Sequence, residues 1–190
     1  MNSEIINLKI SITITFVCTI VMVIFGYENT LLGYNADEFH VWQLITAHFV
    51  HYDVKHLITN MLALSLLLYL FPATFKFHLK AMVIAIILID IYLYFSNVKY
   101  YVGYSGLLYV VPGMACYKLF QQKKYNHVVL MISILIFYLA IISPEYRQNQ
   151  FLIWESLEQA HFLGFFSGIL SEFTNRKLQL NSRSNLAFLQ

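Results

Sequence analysis

Uncharged apolar stretches recur along the chain at a nearly constant length. They run from Ile10 to Tyr27, His56 to Phe75, Tyr100 to Tyr117 and Tyr125 to Pro144. Each is close to the ~20 residues that carry a helix across a ~30 Å hydrocarbon layer. Two further stretches are interrupted: 81–98 holds Asp90, and the last, around 156–173, has Glu158 near its start and Glu172 near its end. The pattern predicts an all-α, polytopic membrane protein with six spans at about 10–27, 55–73, 81–98, 104–120, 126–143 and 156–174. Residues 1–175 then form one membrane domain, and 176–190, rich in Asn, Ser and Gln, form a mobile cytoplasmic tail. Residues 28–50 are too polar to cross the bilayer and too apolar to float free. They read as an interfacial loop anchored by Trp42.

Composition agrees with lipid as the main solvent: 59% of residues are hydrophobic and 12% charged, with a mean hydropathy of +0.63. Charge then orients the spans. With the N-terminus inside, Lys9, Lys76, Lys80, Lys118, Lys123, Lys124, Arg176, Lys177 and Arg183 are cytoplasmic, leaving Lys55, Lys99 and Arg147 outside. The acids Glu28, Asp37, Glu38, Asp53, Glu145, Glu155 and Glu158 gather on the outer side. Opposite charges sorted across a membrane leave no basic patch for nucleic acid. Residues 1–9 lack a basic cluster and no small-residue cleavage site follows, so the first apolar run reads as a retained helix. Cys18 and Cys116 lie within apolar spans and imply no disulfide framework.

Polar side chains within the bilayer are costly, so their positions are informative. His56 and Asn60 open the second span, Ser105 the fourth and His161 the sixth. In the topology above, even-numbered spans all begin outside, which sets these four residues at one depth. His56 and Asn60, at i and i+4, share a helix face. Ser105 stands in Gly103-Tyr104-Ser105-Gly106 at a loop-to-helix transition, where glycines allow a tight turn and the helix start offers free N–H groups. A serine hydroxyl becomes a nucleophile when a base removes its proton, and His161 is the candidate base. Gly164 and Gly168, three and seven residues beyond His161, make a small-residue stripe on its face that admits a close helix.

His-Leu-Ile-Thr-Asn (56–60), Gly-Tyr-Ser-Gly (103–106) and Ala-His-Phe-Leu-Gly (160–164) resemble, in order and in span, the His-x-x-x-Asn, Gly-x-Ser-Gly and Ala-His-x-x-Gly motifs of rhomboid intramembrane proteases. The resemblance implies a six-helix rhomboid-like bundle with both termini inside, and a Ser105–His161 dyad without cofactor. It also implies an oxyanion site from the Ser105 N–H, His56 and Asn60. His51 matches an extra histidine ahead of His-x-x-x-Asn, and Tyr109 a tyrosine that packs on the catalytic histidine. Within the family, the compact length and Thr46-Ala47-His48-Phe49-Val50-His51 look like the rhombosortases, bacterial relatives associated with secreted proteins carrying a Gly-Gly-type C-terminal anchor. The implied partners are a membrane-anchored protein substrate and the lipid bilayer. The implied location is a bacterial inner membrane with the site toward the periplasm.

Simpler readings exist for each residue alone. Ser105 would serve as a helix cap, His161 as an interhelical hydrogen-bond donor and Asn60 as polar glue. His48, His51 and His56 lack the companion ligands and spacing of a metal site. His51 is expected to hold the interfacial loop by hydrogen bonds, and His48 to face the aqueous boundary. Asp90, alone in its span, cannot form a paired-acid protease site and is expected to be neutral or hydrogen-bonded in the bundle. The absence of His-Glu-x-x-His removes a zinc protease. A silent rhomboid-fold protein that binds membrane clients would not need Ser105, His161, His56 and Asn60 together. A small transporter would show inverted repeats, which the sequence lacks.

Overall fold

A computed structural model describes residues 13–14, 17–18, 20–21, 31–71, 75–137 and 158–187. Most of the expected first span, the outer part of the fifth and the loop that follows it lie outside the described residues. Described order runs β1 (Tyr34–Asn35), α1 (Gln43–Thr46), α2 (Val54–Leu70), α3 (Phe75–Phe95), β2 (Tyr100–Tyr101), α4 (Ser105–Leu108), α5 (Val110–Gln121), α6 (Tyr125–Phe137) and α7 (Glu158–Ala187). Helices dominate, as the apolar runs require. Among the described residues the one departure from an all-α pattern is a two-residue antiparallel ladder, Tyr34 opposite Tyr101 and Asn35 opposite Tyr100.

Helices α2 and α3 are apolar on both faces, which a water-soluble helix is not. On α3, Ala81, Met82, Ala85, Ile89 and Leu93 are buried at helical spacing, while Leu79, Val83, Ile87, Ile91 and Tyr94 on the other side are exposed. Within it, Lys76–Phe95 is, among the described residues, the one helix long and apolar enough to cross a membrane. The 17-residue α2 repeats the pattern, burying Leu57, Met61, Leu64 and Leu68 and exposing Ile58, Leu62, Leu66 and Tyr69. Wide apolar surfaces of this kind are interaction faces, and here the partner that fits them is lipid.

The expected fourth span is divided. Pro112 has no N–H for the Leu108 carbonyl, and its ring crowds that carbonyl, so the helix breaks at Tyr109 into α4 and α5. Helix α7 continues past Arg176 to Ala187, into the segment expected as a tail, with no Gly or Pro after Gly168 to stop it.

Helix α7 is the centre of the fold, packing on α3, α4 and α5. It does so backbone to backbone. A Cβ placed on Gly164 would lie 1.9 Å from the Gly106 carbonyl oxygen, one on Gly168 2.2 Å from that of Val110, and one on Gly113 2.0 Å from that of Phe165. At the end of the bundle away from Ser105, Lys80 Nζ donates to Thr174 Oγ1 (2.7 Å) and Asn175 Oδ1 (2.9 Å), and Lys118 pairs with Glu172 at 3.3 Å. These tie α3 and α5 to α7 where their apolar faces end. Because the atoms nearest a Cβ on Gly168 are backbone atoms that cannot swing aside, Gly168→Ala is expected to cost about 1–3 kcal/mol. Thermal unfolding in detergent micelles checks this as a lowered midpoint.

Candidate active site

Three segments meet at one end of α7. The first is the start of α2. Asp53, in an extended conformation, caps the helix by accepting a hydrogen bond from the His56 backbone N–H. That fixes His56 in the first turn with Asn60 one turn below, and Asn60 Nδ2 lies 3.0 Å from His56 Nε2. Tyr52 stacks on the His56 ring at 4.3 Å, and His51 meets it edge-on at 5.0 Å.

The second segment is the turn Gly103-Tyr104-Ser105-Gly106. Gly103 has φ +126°, which side-chain-bearing residues rarely adopt, and a Cβ there would also strike His56 Cε1 at 2.7 Å. Its N–H donates to the Ala47 carbonyl at 2.9 Å. Tyr104 is fully buried, with its hydroxyl 3.6 Å from Met82 Sδ. Ser105, half-buried, is the first residue of α4.

The third is the first turn of α7. His161 is buried, and Tyr109 lies flat against its ring with centroids 4.5 Å apart and planes 13° from parallel. Gly106 faces Ala160, where a Cβ would come 3.3 Å from the alanine's, and a Cβ on Gly164 would come 3.3 Å from that of Tyr109. The close approach of α4 to α7 therefore sets Ser105 and His161 on facing segments, with His56 over the turn. No hydrogen bond joins Ser105 to His161 among the described residues, and His161 Nδ1 is buried without a partner. Such contacts are often loose until substrate binds.

A family model described as Rhomboid domain matches residues 38–177, a stretch that holds every residue of this site. The chain belongs to the rhomboid family. Rhomboids are generally intramembrane serine proteases, and membership makes this chain an integral membrane protein. No curated protein matches it.

Within the rhomboid segment one expectation is overturned. His48 does not face the aqueous boundary: it is fully buried, with Nε2 3.3 Å from Asp90 Oδ1. A carboxylate inside an apolar helix needs a partner, and His48 is drawn inward to supply one. His51 is fully buried beside the interfacial loop and meets the His56 ring edge-on. The sequence reading also missed Gly113 and Tyr101. Gly113 stands seven residues after Gly106, so the two make a small-residue stripe like that of Gly164 and Gly168, and this signal was available. Tyr101 lay among many aromatics and carried no distinguishing signal.

Burial lowers the His51 imidazole from the ordinary 6.5 to about 4. Between those values the unfolded chain takes up a proton that the folded chain refuses. The stability at stake is full above about 6.5 and is lost as pH falls toward 4, at roughly 1.4 kcal/mol per pH unit. His51→Phe removes this component. Chemical unfolding across pH 7 to 4.5 is therefore expected to show the wild type losing more stability than the variant, whereas parallel curves would contradict it.

Proposed function

We propose that this protein is an intramembrane serine endopeptidase in which Ser105 is the nucleophile and His161 the general base. The observation that carries the reading is the glycine-mediated contact of α4 with α7. It sets the Gly103–Gly106 turn against the His161–Tyr109 stack, with His56 and Asn60 alongside.

The chemistry follows from the residues. His161 takes the Ser105 proton as the hydroxyl oxygen attacks a peptide carbonyl. Tyr109 holds the ring flat, fixing the direction in which its nitrogens point. The tetrahedral intermediate places negative charge on the former carbonyl oxygen, which is met by the Ser105 N–H and by donors from His56 and Asn60. Collapse expels the amine, protonated by His161, and leaves an acyl-enzyme. Water, activated by the same imidazole, releases the acid and restores the serine. The Asn60–His56 contact orients both side chains before substrate arrives.

The substrate on this reading is a membrane-anchored protein whose helix unwinds near its outer end, at small residues that give up little helicity. The bundle has six spans with both termini inside, supported by the sorting of Lys and Arg, and the site opens to the periplasmic side of a bacterial inner membrane. The phrase Thr46–His51 supports the rhombosortase type, with Gly-Gly C-terminal anchors as substrates. Purified protein in liposomes with a transmembrane reporter carrying such an anchor tests the proposal. Cleavage is expected from wild type, none from Ser105→Ala or His161→Ala, and a rate about 10²-fold lower from Asn60→Ala. Undiminished cleavage by Ser105→Ala would overturn the mechanism. Binding of the reporter without cleavage by wild type would favour a client-binding role.

A further inference from the structure

Asp90 interrupts the apolar sequence of α3, and the contact it makes is the first link of a longer chain. His48 Nε2 lies 3.3 Å from Asp90 Oδ1, and the Tyr101 hydroxyl lies 3.4 Å from His48 Nδ1. The same hydroxyl donates to the Gly103 carbonyl at 3.3 Å. It also sits 3.0 Å from where a Cβ on Gly106 would be, so it touches both glycines that flank the serine turn. His48 is fully buried and Tyr101 nearly so.

The donors can be assigned. A tyrosine hydroxyl has one proton. With that proton on the Gly103 carbonyl, the phenol oxygen accepts from the His48 Nδ1–H, and Nε2 is left to face Asp90.

The links belong to four parts of the fold: α3, the loop after α1, strand β2 and the turn before α4. A turn built on Gly103 needs such support. Glycine permits the positive φ but does not enforce it, and rotation of the Gly103–Tyr104 peptide would re-aim the N–H and hydroxyl of Ser105. The Gly103 N–H is tied to Ala47, next to His48 in sequence, and its carbonyl to Tyr101, which contacts His48 in space. Both ends of the glycine thus lead back to the His48 segment, and Asp90 holds that segment to α3. Burying three polar groups inside a membrane bundle is costly unless each is satisfied by another.

We propose that Asp90, His48 and Tyr101 are positioning residues that hold the Ser105 turn in its reactive orientation, an inference that rests on Ser105 being the nucleophile. None of the three touches the reacting atoms; they act through Gly103. Tyr101→Phe removes one hydroxyl and keeps the ring, so it tests positioning with little risk to folding.

The experiment is reporter cleavage in liposomes, with kcat and KM measured separately and thermal midpoints recorded for each variant. Tyr101→Phe is expected to lower kcat roughly tenfold, the effect of one lost buried hydrogen bond, with KM changed by less than about twofold. Asp90→Asn, which keeps an acceptor for His48, is expected to retain more activity than Asp90→Ala. The double variant Asp90→Ala with Tyr101→Phe is expected to lose little more than the worse single variant, because one chain is broken once. A Tyr101→Phe enzyme with wild-type kcat would overturn the proposal, as would losses in the double variant that simply multiply. Losses that track the thermal midpoint, with kcat per folded molecule unchanged, would reduce the three residues to structural ones and overturn it too. A wild type that neither cleaves nor reacts at Ser105 would remove the nucleophile, and the brace with it. An active wild type beside an equally active Tyr101→Phe would remove the brace alone.

Discussion

Contact between α7 and the α4–α5 pair is made by backbone against backbone, and the geometry of the site depends on it. In lipid there is no hydrophobic gain from pressing two apolar helices together, so association relies on close packing and interhelical polar contacts. Gly113, Gly164 and Gly168 provide that closeness, each meeting backbone of the opposing segment, and Gly106 lies against Ile89, the Tyr101 hydroxyl and Ala160. The same contact decides where chemistry can occur. A methyl group at Gly164, three residues from His161, would collide with the carbonyl of Gly106, one residue from Ser105.

Around this contact the polar groups fall into two levels. At the far end, Lys80 with Thr174 and Asn175, and Lys118 with Glu172, join helices where their apolar faces run out. At the site end, the His56 and His161 rings are flanked by other rings rather than by charges: Tyr109 on His161, Tyr52 and His51 on His56. Aromatic support fixes ring orientation and leaves the ring nitrogens to face a reaction, which an ion pair would not. The proposed role of His161 as base depends on that difference.

Much of this was legible in the chain because membrane proteins place few polar residues and those residues cannot hide. The spacing of His56 and Asn60, the glycines around Ser105 and the stripe after His161 each encoded a local geometry, and the structure carries all three. What escaped the sequence was long-range pairing. Asp90 was visibly anomalous, but nothing in the linear pattern named His48, 42 residues away, as its partner. The break between α4 and α5 was encoded in Pro112, whose effect falls four residues upstream and is easily passed over in an unbroken apolar run. The end of α7 was hard to place because the segment after Arg176 is polar, whereas helix formation needs only the absence of breakers once a packed segment has nucleated it.

The central claim is that a close helix contact activates one serine by one histidine. It is tested most directly by labelling the purified protein with a fluorophosphonate and mapping the adduct by mass spectrometry. The account predicts a single adduct on Ser105 in wild type, none in Ser105→Ala, none in His161→Ala although its serine remains, and slowed labelling in Gly164→Ala. An adduct on another residue, or labelling that persists at the wild-type rate in His161→Ala, would contradict it.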